Sequence, residues 1–284
     1  ERMMVAEAVV GTQSRPKYIR PDEMQQAFNF DYLLLEGWDA SAFRKVIDSS
    51  MALAATVGAP TTWVNSNHDV VRTPSRYGQS KPGIHPRGIG AASEQPDEAL
   101  GLRRARALSM LTMALPGSAY IYQGEELGLP EHTTLEDKYR QDPEFFRNKD
   151  KEGIYGRDGC RVPLPWKAGA PSLGFGPSDK TWLPQPASYT RYAVDRQEGV
   201  AGSTLELYRQ ILQLRHKYSL GNGQVQWLDA DKGVLAFDNG DLRIMINFGT
   251  KAVALPADRK VLLSSEALQE DKLPGNTAVW LTRS

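Results

Sequence analysis

The early part of the chain repeats one local pattern: a short run of β-branched or aromatic residues closes on turn residues, then gives way to helical spacing. Such runs occupy residues 3–10, 28–35, 61–65 and 119–122, and each is expected to be a strand. Between the second and third, Asp39 stands where an N-cap belongs, and Phe43, Val46 and Ile47 follow at the three-and-four spacing of one buried helix face. Between the third and fourth, residues 102–115 read as a longer helix that Pro116-Gly117 stops. After the fourth, Ser203 and Glu206 form a capping-box pattern ahead of Leu207, Ile211, Leu214 and Tyr218. Strand and helix alternating at roughly thirty residues per unit is the rhythm of a parallel sheet, and eight such units make a (β/α)8 TIM barrel. Only four units are present, so the expected fold class is α/β, half of such a barrel over residues 1–220.

Two stretches leave this rhythm. Residues 131–202 are rich in Gly, Pro and charge without clear periodicity, and a loop that long inside a domain is usually functional or mobile. It is expected to lie above the last strand, over the mouth of a site. From about Gly221 the period becomes two: residues 234–237, then Asn239-Gly240, then Leu242, Ile244, Ile246 and Phe248, which is a hairpin signal. With further runs at 261–263 and 278–281, residues 221–284 are expected to form a small antiparallel β-sandwich domain.

Composition narrows the function. Lysine plus arginine and aspartate plus glutamate both number 34, so no global field favours nucleic acid or an anionic membrane, and a neutral substrate fits best. Cys160 is the single cysteine and there are 4 scattered histidines, which excludes a disulfide framework and a Cys/His zinc cluster. No stretch approaches the eighteen or so apolar residues of a membrane span. The single cysteine fits an intracellular home, and a cytoplasmic location is expected. The start, Glu1-Arg2-Met3-Met4, has no signal-peptide core, but it reads as the middle of a larger protein, so any targeting segment would lie upstream of it.

In a barrel, catalytic groups come from the C-terminal ends of different strands. Glu7 interrupts an apolar run, where a carboxylate costs several kcal/mol unless paired or protonated. Alone it reads equally well as an ion-paired core glutamate. Asn67-His68-Asp69 ends the third run and Gln123-Gly124-Glu125-Glu126 the fourth; singly these are a structural His-Asp pair and a turn with helix-entry carboxylates. Their recurrence at the same end of successive strands points to one converging site. Glycoside cleavage needs two carboxyl groups, one to protonate the leaving oxygen and one to act on the anomeric carbon or on water. Glu7 suits the acid, and His68 with Asp69 suits gripping sugar hydroxyls.

Val5-Ala6-Glu7-Ala8, followed by Thr62-Trp63-Val64-Asn65-Ser66-Asn67-His68-Asp69, resembles the third and fourth conserved regions of glycoside hydrolase family 13, the α-amylase superfamily. Phe28-Asn29-Phe30-Asp31, the stretch from Val70 through Arg72 to Gly78, and Pro116-Gly117 through Gly128 agree with it. Gly156-Arg157-Asp158-Gly159-Cys160-Arg161-Val162-Pro163-Leu164-Pro165-Trp166 is similar to the segment of α-glucosidases and oligo-1,6-glucosidases. The resemblance implies that the four strands are the fifth to eighth of the barrel and that Glu7 is the general acid/base. It makes His68 and Asp69 the pair holding the glucose ring, and Arg157 the arginine that reaches the same ring. Arg72 and Arg161 match positions near the site. The alternative for Arg157, an ordinary surface arginine or a helper to Asp158, is the weaker of its two readings, and Trp166 and Tyr155 either stack on sugar or pin the loop.

The family's nucleophile, an aspartate in Gly-x-Arg-x-Asp, has no counterpart ahead of Glu7, and no later run has the spacing of a permuted barrel. The resemblance therefore implies a separate N-terminal segment or chain carrying the first four strands, an inserted domain and the nucleophile. The expected activity is a retaining α-glucosidase acting on the ends of short α-glucosides, with transfer to acceptors as an extension. A trehalose-forming or sucrose-using isomerase or transferase, or a non-catalytic glycosidase-like subunit, are its rivals. No cofactor is expected from these residues; some relatives bind calcium or magnesium in early barrel loops, and no such oxygen cluster is evident in this sequence.

Overall fold

A computed structural model describes residues 3–283. The chain runs through β1 (Val5–Ala6), β2 (Gln26–Ala27), a helical turn α1 (Phe30–Leu33), helix α2 (Ala40–Ala55), β3 (Thr62–Val64), α3 (Thr73–Tyr77), α4 (Glu98–Ala114) and β4 (Ser118–Tyr120). Then come α5 (Pro143–Arg147), α6 (Val194–Gln197), α7 (Thr204–Lys217) and seven strands: β5 (Gln226–Trp227), β6 (Val234–Asn239), β7 (Leu242–Asn247), β8 (Val253–Ala254), β9 (Arg259–Ser264), β10 (Lys272–Leu273) and β11 (Thr277–Arg283). No helix among the described residues is long and apolar enough to cross a membrane. Two compact units result: one holds the chain up to Asn65, Ala107–Tyr120 and the chain from Ile211 on; the other holds Ser66–Arg106 and Ile121–Gln210.

The first unit contains every strand among the described residues. β1 pairs with β2, and β3 with β4, both in parallel, with Thr62 opposite Ser118 and Val64 opposite Tyr120. Side chains bridge the two pairs: the Thr62 hydroxyl donates to the Ala27 carbonyl, Gln26 Nε2 donates to Ser118 Oγ at 2.7 Å, and Tyr120 OH donates to Gln26 Oε1 at 2.6 Å. The strand expected at 28–35 is displaced to Gln26–Ala27, and residues 30–33 turn helically instead. The cause is local. Asn29 Oδ1 accepts the Tyr32 N–H at 3.3 Å, which caps a helical turn over residues 30–33.

Helix α2 forms as its sequence dictates, with Asp39 Oδ1 accepting the Ala42 N–H at 2.9 Å and Phe43 and Ile47 fully buried. Replacing Asp39 by Ala should cost about 1 kcal/mol of stability, read by urea unfolding; an unchanged midpoint would show the cap to be idle. Helix α4 starts at Glu98, four residues before the expected Leu102, because Asp97 Oδ1 caps it by accepting the Leu100 N–H at 2.9 Å. It stops at Pro116-Gly117, where Gly117 has φ +99° and a Cβ would lie 2.1 Å from the Thr61 carbonyl oxygen. Arg215 closes that helix end, donating Nη1 to the Met113 and Leu115 carbonyls at 2.6 and 2.8 Å and Nη2 to Gly117 at 2.6 Å.

The C-terminal strands make one antiparallel sheet in the order β5-β6-β7-β11-β9 and a separate β8/β10 ribbon. The hairpin lies where Asn239-Gly240 signals it, but Asn239 pairs with Leu242, so Gly240 and Asp241 form the loop and Gly240 takes φ +60°. Trp280 Nε1 donates to the Met110 carbonyl at 3.2 Å, and Phe248 stacks on Phe43 and Trp38 at centroid distances of 5.2 and 4.6 Å. The sheet therefore shares the aromatic core of α2, where Tyr32 and Trp63 meet edge-on at 5.2 Å. The fully buried Phe43, Trp63 and Trp280 contribute about 2–3 kcal/mol each.

In the second unit, residues 131–202 have no sheet, but they are not structureless. Short helical turns surround a core of Leu127, Leu129, Leu135, Val162, Leu164, Leu183, Tyr189 and Tyr192. The capping pattern before α7 is half made: Ser203 Oγ accepts the Glu206 N–H at 3.2 Å, whereas the Glu206 carboxylate accepts the Gly199 N–H at 2.8 Å rather than closing on Ser203.

Candidate active site

The His68-Asp69 pair follows β3 and belongs to the second unit. The Asp69 N–H donates to Asn67 Oδ1 at 2.8 Å, a turn that fixes the direction of the residue. The side chains of His68 and Asp69 are 53% and 37% exposed, and His68 Nε2 lies 3.4 Å from Asp69 Oδ1. Two arginines converge on that oxygen, Arg157 Nη1 at 2.7 Å and Arg161 Nη2 at 2.8 Å. Arg161 Nε also donates to the His68 carbonyl at 2.8 Å, which ties the backbone of the pair to the same guanidinium. Among the described residues no hydrogen bond engages Asp69 Oδ2. The arrangement is a partly exposed carboxylate, fixed from one side by fork-shaped cations, with an imidazole beside it.

Arg157 is held by a partner the sequence reading missed. The buried carboxylate of Asp142 accepts Arg157 Nε on Oδ2 at 2.6 Å, the Arg157 N–H on the same oxygen at 2.7 Å, and Arg157 Nη2 on Oδ1 at 3.0 Å. These bonds hold the Asp142 carboxyl well below the usual carboxylate range and push the Arg157 guanidinium further up. Asp158, the partner considered for Arg157, acts elsewhere: its Oδ2 accepts the Gln141 and Asp142 N–H groups at 2.8 and 2.9 Å. Residues 142–143 carry a visible signal, Asp followed by Pro at a helix start, but that signal predicts only the cap that Asp142 also provides to Glu144 N–H at 2.9 Å.

Arg72 is 2% exposed and lies inside the unit. Its Nη1 donates to the Gln123 carbonyl at 2.9 Å, its guanidinium stands 5.0 Å from the Tyr122 ring centre, and its backbone N–H donates to Glu131 Oε2 at 3.0 Å. Tyr155 is half-buried, with its ring 5.1 Å from the Arg140 guanidinium and against Gly90, whereas Trp166 is 49% exposed. Cys160 is buried with Sγ near the His68 and Arg157 carbonyls at 3.3 and 3.1 Å, and burial pushes its thiol up, so it is no nucleophile. Glu125, in the motif after β4, is a buried acid pushed up to about 7 by desolvation.

Glu7 belongs to the first unit. β1 ends at Ala6, so Glu7 does not sit inside an apolar strand as its neighbours suggest: Ala6 is buried, Glu7 is exposed, and Val9 is 76% exposed. The reading of Glu7 as an ion-paired core glutamate fails for the same reason.

Three comparisons bear on these residues. The family model described as alpha amylase, catalytic domain, matches residues 1–223, and one for a domain of unknown function, DUF3459, matches residues 220–280. A Rhizobium meliloti protein named "Probable alpha-glucosidase" is 35% identical over 179 residues, which is 62% of this chain and 28% of that protein. An alpha-glucosyl transfer enzyme of known structure is 26% identical with a TM-score of 0.74, covering 99% of this chain and 50% of its own. The trehalulose synthase from Pseudomonas mesoacidophila MX-45, 21% identical with a TM-score of 0.77, covers 99% of this chain and 55% of its own, and shows the shared fold. The chain thus spans about half the length of the solved structures and less of the curated relative.

Proposed function

The chain belongs to the alpha-amylase catalytic-domain family over residues 1–223, and on that premise we propose that it carries the acid/base part of a retaining α-glucosidase releasing terminal α-linked glucose from short oligosaccharides and α-glucosides. The observation that carries the reading is the Asp69 carboxylate, gripped on Oδ1 by Arg157 and Arg161 beside His68, and still 37% exposed. Adjacent sugar hydroxyls need acceptors and donors at fixed spacing. Asp69 Oδ2 supplies the acceptor, and His68 and the Arg157 fork supply donors. Arg161 steadies the pair, and Arg72 steadies the segment that follows it.

In this reading Glu7 protonates the glycosidic oxygen as the C1–O bond breaks. An aspartate from a preceding segment attacks C1 from the opposite face, and Glu7 then takes a proton from the incoming water. β1 to β4 are the fifth to eighth strands of a (β/α)8 barrel spanning residues 1–220 here, completed by that N-terminal segment, and residues 221–284 form a β-sandwich appendage. Transfer of glucose to a sugar acceptor is a second reading, favoured by the 26% identity to the alpha-glucosyl transfer enzyme.

Time-resolved proton NMR of aryl α-glucoside hydrolysis by the complete protein tests the proposal. α-Glucose should appear first and β-glucose only as mutarotation proceeds; β-glucose as the initial product, or no glucose at all, overturns it. Adding maltose as acceptor and analysing products by chromatography separates hydrolysis from transfer.

A further inference from the structure

We propose that Asp142 is a positioning residue for the sugar-binding site: by clamping one edge of the Arg157 guanidinium, it aims the opposite edge at Asp69 and at the substrate. The inference rests on the reading that Arg157 holds the sugar, and it adds a residue from a stretch where no sequence motif points to one. The geometry is a chain of three links. Asp158 Oδ2 accepts the backbone N–H of Gln141 and of Asp142, which sets where Asp142 starts. Asp142 then takes Nε and Nη2 of Arg157, at 2.6 and 3.0 Å, in the two-pronged geometry that fixes a guanidinium plane. Nη1, on the far edge, is what remains, and it meets Asp69 Oδ1 at 2.7 Å.

Burial makes the clamp rigid. Asp142 is 1% exposed, while Arg157 has 34% of its side chain in solvent, so the anchored end is dry and the presenting end is wet. The approach is close enough to need a glycine: Gly156 has φ +71°, and a Cβ there would lie 2.9 Å from the Asp142 Cβ. A surface arginine free to rotate would lose side-chain entropy on gripping a hydroxyl. One already ordered by a buried carboxylate does not, and this is the chemical sense of the arrangement.

The test is a double-substitution cycle in the complete protein, read as kcat and KM on an aryl α-glucoside. Asp142→Asn alone should lower kcat/KM about ten- to hundredfold, mainly through KM, as loss of a charged hydrogen-bond clamp on a binding group would. In an Arg157→Ala background the same change should alter kcat/KM by less than about threefold, because Asp142 acts only through Arg157. An Arg157→Lys background, which keeps a cation, repeats the comparison where turnover in Arg157→Ala is too slow to measure. Asp142→Ser, like Asp142→Asn, keeps a cap oxygen for the Glu144 N–H while losing the charged fork, so the two should match in kcat/KM and both should lose less thermal stability than Asp142→Ala. Equal effects of Asp142→Asn in both backgrounds overturn the positioning role. A normal kcat/KM for Arg157→Ala instead overturns the sugar-holding reading of Arg157, so the two failures are distinguishable.

Discussion

Replacing Glu7 by Gln is expected to lower kcat/KM on maltose-type substrates by about 10²–10⁴, the usual contribution of a positioned general acid/base. Gln keeps the shape and a hydrogen bond but cannot give up a proton. The leaving group decides how much of that loss is seen. An alkoxide departing from maltose needs the proton, whereas a nitrophenolate leaves without one, so glycosyl transfer from a nitrophenyl α-glucoside should suffer least. The second step then becomes limiting, since water attacking the glycosyl intermediate still needs a base. A covalent intermediate should accumulate, visible as a burst of nitrophenolate followed by slow turnover. A small, exogenous anionic nucleophile that needs no deprotonation, such as azide, should restore turnover on the nitrophenyl substrate and not on maltose. A loss below about tenfold on both substrates would remove Glu7 from the reaction. The exposure of Glu7 at the end of β1 is compatible with this role, because a group that exchanges protons with substrate and water has to be reachable.

Local chemistry carried most of what the sequence disclosed. Asp39 caps α2 and the 239–242 hairpin forms, each from residues within a few positions of one another, and Pro116-Gly117 marks the end of α4. The error at 28–35 has the same origin: Asn29 offers the backbone a capped helical turn, and that local bond overrides the apolar alternation. The capping box before α7 is half right because Gly199, seven residues upstream of Glu206, competes for its carboxylate.

Legibility of the candidate site divides along the same line. Asp69, His68, Arg157 and Arg161 were nameable because they sit in short motifs, and the structure gathers all four in one unit. Asp142 was not, since its tie to Arg157 spans a stretch without periodicity and its own surroundings announce only a helix cap. Arg72 shows the converse: a motif residue that is buried, bonded to the Gln123 carbonyl and set over the Tyr122 ring. Glu125 read as an ordinary turn carboxylate because its burial depends on Ser66 and Tyr208, far from it in sequence.

Stability should fall by about 3 kcal/mol as pH rises from about 4.5 to about 7, on account of Glu125 alone. Its carboxyl is pushed up to about 7 first by burial, against which hydrogen bonds from the Tyr122 N–H, Ser66 and Tyr208 act only in part. The native protein therefore keeps a proton that the unfolded chain has released across this window. Stability is full below the unfolded value and declines until the folded value is passed. Both carboxyl oxygens accept hydrogen bonds. Oε1 takes the Ser66 hydroxyl at 2.8 Å and the Tyr122 N–H at 3.0 Å. Oε2 accepts from the Tyr208 hydroxyl at 3.2 Å. Glu125→Gln keeps an amide oxygen for the Ser66 and Tyr122 donors, carries no ionisable proton, and should behave as the neutral acid at every pH. The variant and the parent should melt together near about pH 5, with the variant the more stable near about pH 8. Glu125→Ala, by contrast, leaves three donors facing a void and should be destabilised at both pH values. Thermal unfolding of the three proteins at the two pH values decides the matter. Identical pH slopes for the parent and the Gln variant would mean that Glu125 is ionised in the folded protein and that its three hydrogen bonds outweigh its burial.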